Sequence, residues 1–249
     1  MPVHRYATSH VLGRFRRGGS SSPVEVETPA GRFVLKLRGA GEGVPALIAE
    51  LVVGELAERL GLPVPERAVV ELGADFRSDD KNDELADLLA RSVGPNVGLR
   101  LLDGARSPLP DELARLDDDF ALRVLWLDGL TQNFDRTHAN PNILFWKRRP
   151  WLIDHGAALS FHYDWARVTE ESPRERMSYR THVFGERASL LDRYDEGFAR
   201  LFTPRALDAV LAQVPADFFQ NGESSERARA AYAAFLWKRL KAPRPFVGD

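Results

Sequence analysis

The stretch from Asn133 to Gly156, N-F-D-R-T-H-A-N-P-N-I-L-F-W-K-R-R-P-W-L-I-D-H-G, restricts this chain more than any other part of it. Asn133 to Asn142 is polar and rich in turn formers. Two short apolar runs follow, Ile143-Leu144-Phe145-Trp146 and Trp151-Leu152-Ile153, joined by the basic turn Lys147-Arg148-Arg149-Pro150. Apolar runs of this length on either side of a turn predict a β-hairpin. The hairpin sets Asp154 at the mouth of its second strand, so that Asp135, Asn140 and Asp154 converge. Two carboxylates at ~4 Å repel by ~4 kcal/mol at an effective dielectric of ~20, which calls for a cation, a shared proton or a wider separation. Carboxylate and amide oxygens suit hard ions, and Mg²⁺ takes one or two carboxylates together with phosphate oxygens and water. The same residues also suit a loop whose Asp and Asn side chains cap their own turns.

Upstream, the chain reads as β-rich as far as about Arg38. Val11 to Phe15 and Val24 to Thr28 flank the turn Arg16-Arg17-Gly18-Gly19-Ser20-Ser21-Ser22-Pro23, and Arg32 to Leu37 returns as a further strand. In that strand Phe33, Leu35 and Leu37 share one face, while Val34 and Lys36 share the other. A glycine and serine turn has the backbone freedom to cradle phosphates, although most such runs are plain loops. A helix is predicted from about Pro45 to Leu60, with Pro near its start and Gly61 as its stop. Placed at 100° per residue, Glu50 falls on the flank of Ala46, Val53 and Ala57 rather than with Glu55, Glu58 and Arg59. A glutamate there needs a partner or a path to water, and Lys36 on the preceding strand is the nearest candidate partner.

Val64 to Leu72 and Val97 to Leu102 complete the strands. Ser78 to Asp87 is an exposed loop grading into a short helix through Leu89. The turn chemistry at Gly104 to Pro110 predicts a lobe boundary, giving 1–104 as a small sheet with one prominent helix and 105–249 as a mostly helical lobe. In the second lobe Asp117-Asp118-Asp119 opens a helix carrying Phe120, Val124, Leu127 and Leu130 on its core side. Trp165 to Arg187 is irregular, and reads either as a substrate-facing segment or as an ordinary surface loop. Helices from Thr203-Pro204 and from about Glu223 to Lys241 look like packing.

Composition narrows the options. With 34 Lys and Arg against 36 Asp and Glu the formal charge is -2, so no overall positive field argues for nucleic acid or an anionic membrane. The chain has no cysteine, which excludes disulfides, thiolate nucleophiles and cysteine zinc sites. The N-terminal residues have no apolar signal-like run and no segment is long enough to span a membrane, so a cytoplasmic protein is expected.

In chain order the features are a Gly/Ser turn, a strand lysine, a helix glutamate, and then Asp135, Asn140 and Asp154-His155-Gly156. That order resembles the protein-kinase-like fold. Asp135 to Asn140 matches the D-x-x-x-x-N spacing of a catalytic loop, and Asp154-His155-Gly156 stands where D-F-G would be. There is no H-R-D, no G-x-G-x-x-G and no A-P-E. Asp135-Arg136 with Asn140 instead resembles the loop of HipA-like and phosphoinositide kinases. L-I-D-H-G-A-A-L, V-L-K-L-R-G and G-L-P-V-P-E are similar to the compact HipA-like kinases, over roughly Gly18 to Leu159.

The resemblance implies an α+β, bilobal fold with a small antiparallel-sheet lobe, and an ATP- and Mg²⁺-dependent kinase acting on Ser or Thr of a protein. It implies that Asp135 positions or deprotonates the acceptor hydroxyl, that Asn140 and Asp154 hold Mg²⁺, and that Lys36 contacts the α/β-phosphates while paired with Glu50. Gly18, Gly19, Ser20, Ser21 and Ser22 would cover the phosphates, and a serine among them becomes a candidate for self-phosphorylation. Leu101, Leu102 and Asp103 would form the hinge against adenine. Arg136 is either bonded within the catalytic loop or exposed, and Asn142 reads as a turn residue. Other classes fit parts of the pattern. A phosphohydrolase would use Asp135, His138, Asp154 and His155, a nucleotide-binding pseudokinase would keep Lys36 and Asp154, and a metabolite or lipid kinase would share the central motif.

Overall fold

The computed structural model of the chain describes residues 3–15, 22–76, 83–219 and 224–248. The first part is a six-stranded sheet in the order β1-β5-β6-β4-β3-β2. Its strands are β1 (His4–Ala7), β2 (His10–Arg14), β3 (Val24–Thr28), β4 (Gly31–Lys36), β5 (Arg67–Leu72) and β6 (Gly94–Arg100). Every neighbouring pair is antiparallel except β1 with β5, which is parallel. The parallel edge strand, H-R-Y-A, is too short and too polar for its sequence to announce. β6 ends at Arg100, so Leu101 and Leu102, expected within a strand, lie in the connection that follows it.

Period-2 alternation sorts β4 as its sequence dictates. Phe33, Leu35 and Leu37 join Val11, Val24, Val26, Val70 and helix α2 (Asp83–Ala90) in a small core on one side of the sheet. Val34 and Lys36 face the other side. The helix α1 (Gly43–Arg59) packs there, with every residue from Ala46 to Ala57 buried. It lies between β6 and the helices of the second lobe, touching α4 (Asp118–Thr131) and α6 (Pro204–Leu211). A helix covered on every side has no solvent stripe to place a glutamate on. That is why Glu50, in the middle of α1, is fully buried.

The second lobe adds α3 (Pro110–Ala114), α5 (Asp195–Ala199) and α7 (Ser225–Leu240) around α4. Asp117 caps α4 by accepting the Phe120 N–H at 2.7 Å, and Thr203 and Ser224 cap α6 and α7 in the same manner. Trp126 on α4 stacks on Phe202 and meets Phe198 and Phe246 edge-on, which centres this lobe's core. The hairpin β7 (Ile143–Trp146) and β8 (Arg149–Leu152) turns through two residues, Lys147 and Arg148, both at positive φ. The predicted four-residue turn is therefore shorter, and Arg149 and Pro150 belong to the strand. Among the described residues no helix is long and apolar enough to cross a membrane.

Candidate functional site

A cleft of about 1350 Å³ separates the sheet from the helical part. Its upper wall includes Val34, Lys36 and Leu99, its rear Leu101 and Leu102, and its floor Asp135, Asn140, Asn142, Ile153 and Asp154. At the polar end Lys36 Nζ donates to Glu50 Oε1 at 2.5 Å and contacts Asp154 Oδ1 directly. Burial alone would lower the Lys36 pKa, but the Glu50 and Asp154 charges outweigh it and hold it above the ordinary lysine value. Asp154, burial notwithstanding, is held below the usual carboxylate range by Lys36. Burial pushes Glu50 up against the opposing pull of Lys36 and the His155 N–H. A single amine thus joins β4, α1 and the segment after the hairpin.

Asp154 sits at φ 56°, a left-handed conformation that L-residues adopt at a price in energy. Three contacts hold it. Ile153 N–H donates to Asn142 C=O at 3.0 Å, Lys36 takes the carboxylate, and the next N–H, of His155, donates to Glu50 Oε1 at 2.8 Å. Gly156 follows because α1 passes close by. A Cβ there would stand 3.2 Å from Glu42 Oε2 and 3.3 Å from Ala46 Cβ. The Tyr163 hydroxyl donates to Gly156 C=O at 2.6 Å from the far side.

Asp135 is organised by its own loop. Its Oδ2 accepts from Asn140 Nδ2 and from Asn142 Nδ2, both at 2.9 Å, and its N–H donates to Asn133 Oδ1 at 3.2 Å. Asn142 is a turn residue, at φ 49°, and is also a direct partner of Asp135. Behind the loop lies a buried network that local sequence does not reveal. Arg136, with no exposed surface, donates to Asp128 Oδ2 at 2.6 Å and to Asn142 C=O at 2.8 Å, which settles the choice between a bonded and an exposed arginine. Asp128 also accepts from Asn133 Nδ2 at 2.9 Å and from His182 Nε2 at 2.9 Å. Its burial would raise its pKa, but Arg136 and His182 bring it down to about 2. His155 Nδ1 faces Arg136 Nη2 at 3.4 Å, and burial with the Arg136 charge pushes the imidazole down to about 3, so it is neutral.

The sequence-derived set is therefore gathered unevenly. Lys36, Glu50 and Asp154 touch, Asp135 and Asn140 touch, and all but Glu50 line the one cleft. Leu101 and Leu102 line its rear, whereas the Asp103 carboxylate is exposed and pairs with Arg32 at 3.3 Å. Gly18, Gly19, Ser20 and Ser21 lie outside the described residues. Ser22 faces a smaller hollow with Arg14 and Gly39, while its neighbours Phe15 and Pro23 reach the main cleft. The His155 ring points to Arg136, and no group of three His, Asp or Glu side chains among the described residues converges as a metal site. The Asp-His-Asp-His set of a phosphohydrolase is not assembled.

A family model described as "HipA-like kinase" matches residues 10–242. The chain belongs to the HipA-like kinase family. Among solved structures, this HipA-like kinase is similar to the proinflammatory kinase CtkA of Helicobacter pylori. The likeness has a TM-score of 0.56 at 10% identity, over 96% of this chain and 95% of that one. That is a likeness of fold, and it gives the sheet and helical parts their arrangement as the two lobes of a kinase. No curated protein matches the chain by sequence.

Proposed function

We propose that this HipA-like kinase transfers the γ-phosphate of ATP, with Mg²⁺, to a Ser or Thr hydroxyl of a protein. The observation that carries the reading is the Lys36 ammonium, which touches Glu50 and Asp154 together at the polar end of a cleft whose other end is apolar. An adenine fits between Val34, Leu99, Leu101, Leu102 and Ile153, and the triphosphate then runs towards Lys36. The donor set suits magnesium: Asp154 offers a partly exposed carboxylate, and Asn140, whose amide nitrogen is engaged by Asp135, keeps its amide oxygen free. One carboxylate and one amide leave positions for phosphate oxygens and water, the ligand mixture Mg²⁺ prefers. Bound there, the ion neutralises charge on the phosphates.

The chain's own residues do the rest. Lys36 holds the phosphates by charge, and Glu50 keeps that amine aimed into the cleft. Asp135, fixed by two asparagine amides on one oxygen, turns its other oxygen to an acceptor hydroxyl and takes its proton as transfer proceeds. The catalytic work is positioning and electrostatics. On this reading 1–104 supplies the nucleotide roof and 105–249 supplies the acceptor floor. The test is incubation with labelled Mg-ATP and a cell lysate, followed by phosphosite mapping. Label on protein Ser or Thr supports the reading. Nucleotide binding without transfer to any acceptor, water included, would leave a binding module in its place.

A further inference from the structure

His182 belongs to none of the motifs above and lies in the irregular segment between Trp165 and Arg187. We propose that His182 is a positioning residue that couples the acceptor-side wall of the cleft, 183–187, to the loop carrying Asp135. The catalytic meaning of that coupling rests on the phosphotransfer reading given above. The joint itself rests on geometry alone.

The imidazole is buried and both of its nitrogens are committed. Phe184 N–H donates to Nδ1 at 3.0 Å, so Nδ1 carries no proton and Nε2–H is the donor to Asp128 Oδ2 at 2.9 Å. That carboxylate is the one that holds Asn133 and Arg136, the residues on either side of the Phe134-Asp135 pair. The backbone runs in the same sense: Val183 N–H donates to Arg136 C=O at 3.0 Å, and Thr137 forms a β-bridge with His182. Beyond the joint, Val183, Phe184, Glu186 and Arg187 line the cleft, as do His138 and Ala139 on the neighbouring loop. An ordinary satisfied core histidine would stabilise its own surroundings. This one ties the wall an acceptor must rest against to the residues that aim the base.

The two ring bonds can be removed separately. Gln at 182 keeps an amide N–H with the reach of Nε2, and Asn keeps an oxygen in the place of Nδ1. The experiment compares wild type, His182→Ala, His182→Gln and His182→Asn by hydrogen exchange over 133–142 and 179–187. Alongside are measured Mg-ATP affinity and label transfer to dephosphorylated casein. For His182→Ala faster exchange is expected in both segments, with nucleotide affinity unchanged and transfer down by up to about a hundredfold, the scale of a reacting group misplaced by about 1 Å. His182→Gln should restore protection to 133–142, and His182→Asn to 183–187 alone. Exchange confined to 179–187 in His182→Ala would overturn the joint, as would a loss of nucleotide affinity in parallel with transfer. If His182→Ala does not fold, the Gln and Asn variants carry the same contrast. Should the exchange pattern hold while wild type transfers no phosphate, the joint stands and the phosphotransfer reading fails.

Discussion

One oxygen of Glu50 accepts both the Lys36 ammonium, at 2.5 Å, and the backbone N–H of His155, at 2.8 Å. A side chain in the middle of α1 thereby sets the direction of the first lobe's amine and the path of the chain just after Asp154. Removing it strands a buried lysine against Asp154 alone and leaves a buried N–H without a partner. Glu50→Ala is therefore expected to lower unfolding free energy by about 3–5 kcal/mol, the range for breaking a buried ion pair. Glu50→Gln, which still offers an acceptor, should lose less. Urea unfolding of the three proteins measures this, and an alanine variant as stable as wild type would contradict the geometry.

The two asparagines that share Asp135 Oδ2 should separate kinetically. Asn140 has its amide oxygen free for a metal, whereas Asn142 is turned into the loop and serves the carboxylate. Asn140→Ala should raise the Mg²⁺ concentration needed for half-maximal turnover by about tenfold, as loss of groups at a metal site commonly does. Asn142→Ala should leave that requirement in place and lower turnover by about tenfold, through one lost charge-assisted bond to Asp135. A magnesium titration at saturating ATP distinguishes them, and identical shifts in both variants would remove the division of labour.

Asp135→Asn keeps the size and two lone pairs of the side chain but cannot take a proton. Transfer should fall by about 10²–10⁴, the usual contribution of a positioned base, while Mg-ATP affinity stays near wild type. Asp154→Asn should weaken Mg-ATP binding as well, since it changes the partner of Lys36 and, on the proposed reading, a ligand of the ion. Calorimetric nucleotide binding beside single-turnover transfer separates the two, and wild-type transfer in Asp135→Asn would withdraw the base assignment.

What the sequence displays of this fold is what short periods encode. Alternation along β4 puts Lys36 opposite Phe33 and Leu35, and helical placement puts Glu50 on an apolar flank with Lys36 as a candidate partner. The two apolar runs around a basic turn mark the hairpin that delivers Asp154. The unreadable parts are long-range and polar. Asp128 looks like one more acid on a helix face, and nothing in Thr181-His182-Val183 points to a carboxylate 54 residues earlier. A buried charge network has no period, because each member is chosen by partners from other elements. The left-handed turn at Lys147-Arg148 is hidden likewise, since neither glycine nor asparagine announces it.

His162 offers a test of burial that does not involve the cleft. Its ring is enclosed by Phe161, Tyr163 and Tyr232, its Nδ1 meets the Tyr232 hydroxyl at 3.0 Å, and burial pushes its pKa down from 6.5 to about 3. The folded-state value is the depressed one, so the unfolded chain binds the proton first as the medium is acidified. Stability from this group is complete above pH 6.5 and is lost progressively as pH falls towards 3. At pH 5 the loss amounts to about 2 kcal/mol, from ~1.4 kcal/mol per pH unit below the unfolded pKa. His162→Asn leaves a partner for the tyrosine hydroxyl and removes the titration. It should lower stability at pH 8 through imperfect packing, yet show a shallower decline between pH 6.5 and 5 than wild type. Guanidinium midpoints collected across that range decide the matter: parallel slopes in the two proteins would mean that the imidazole is already solvated, or protonated, within the fold.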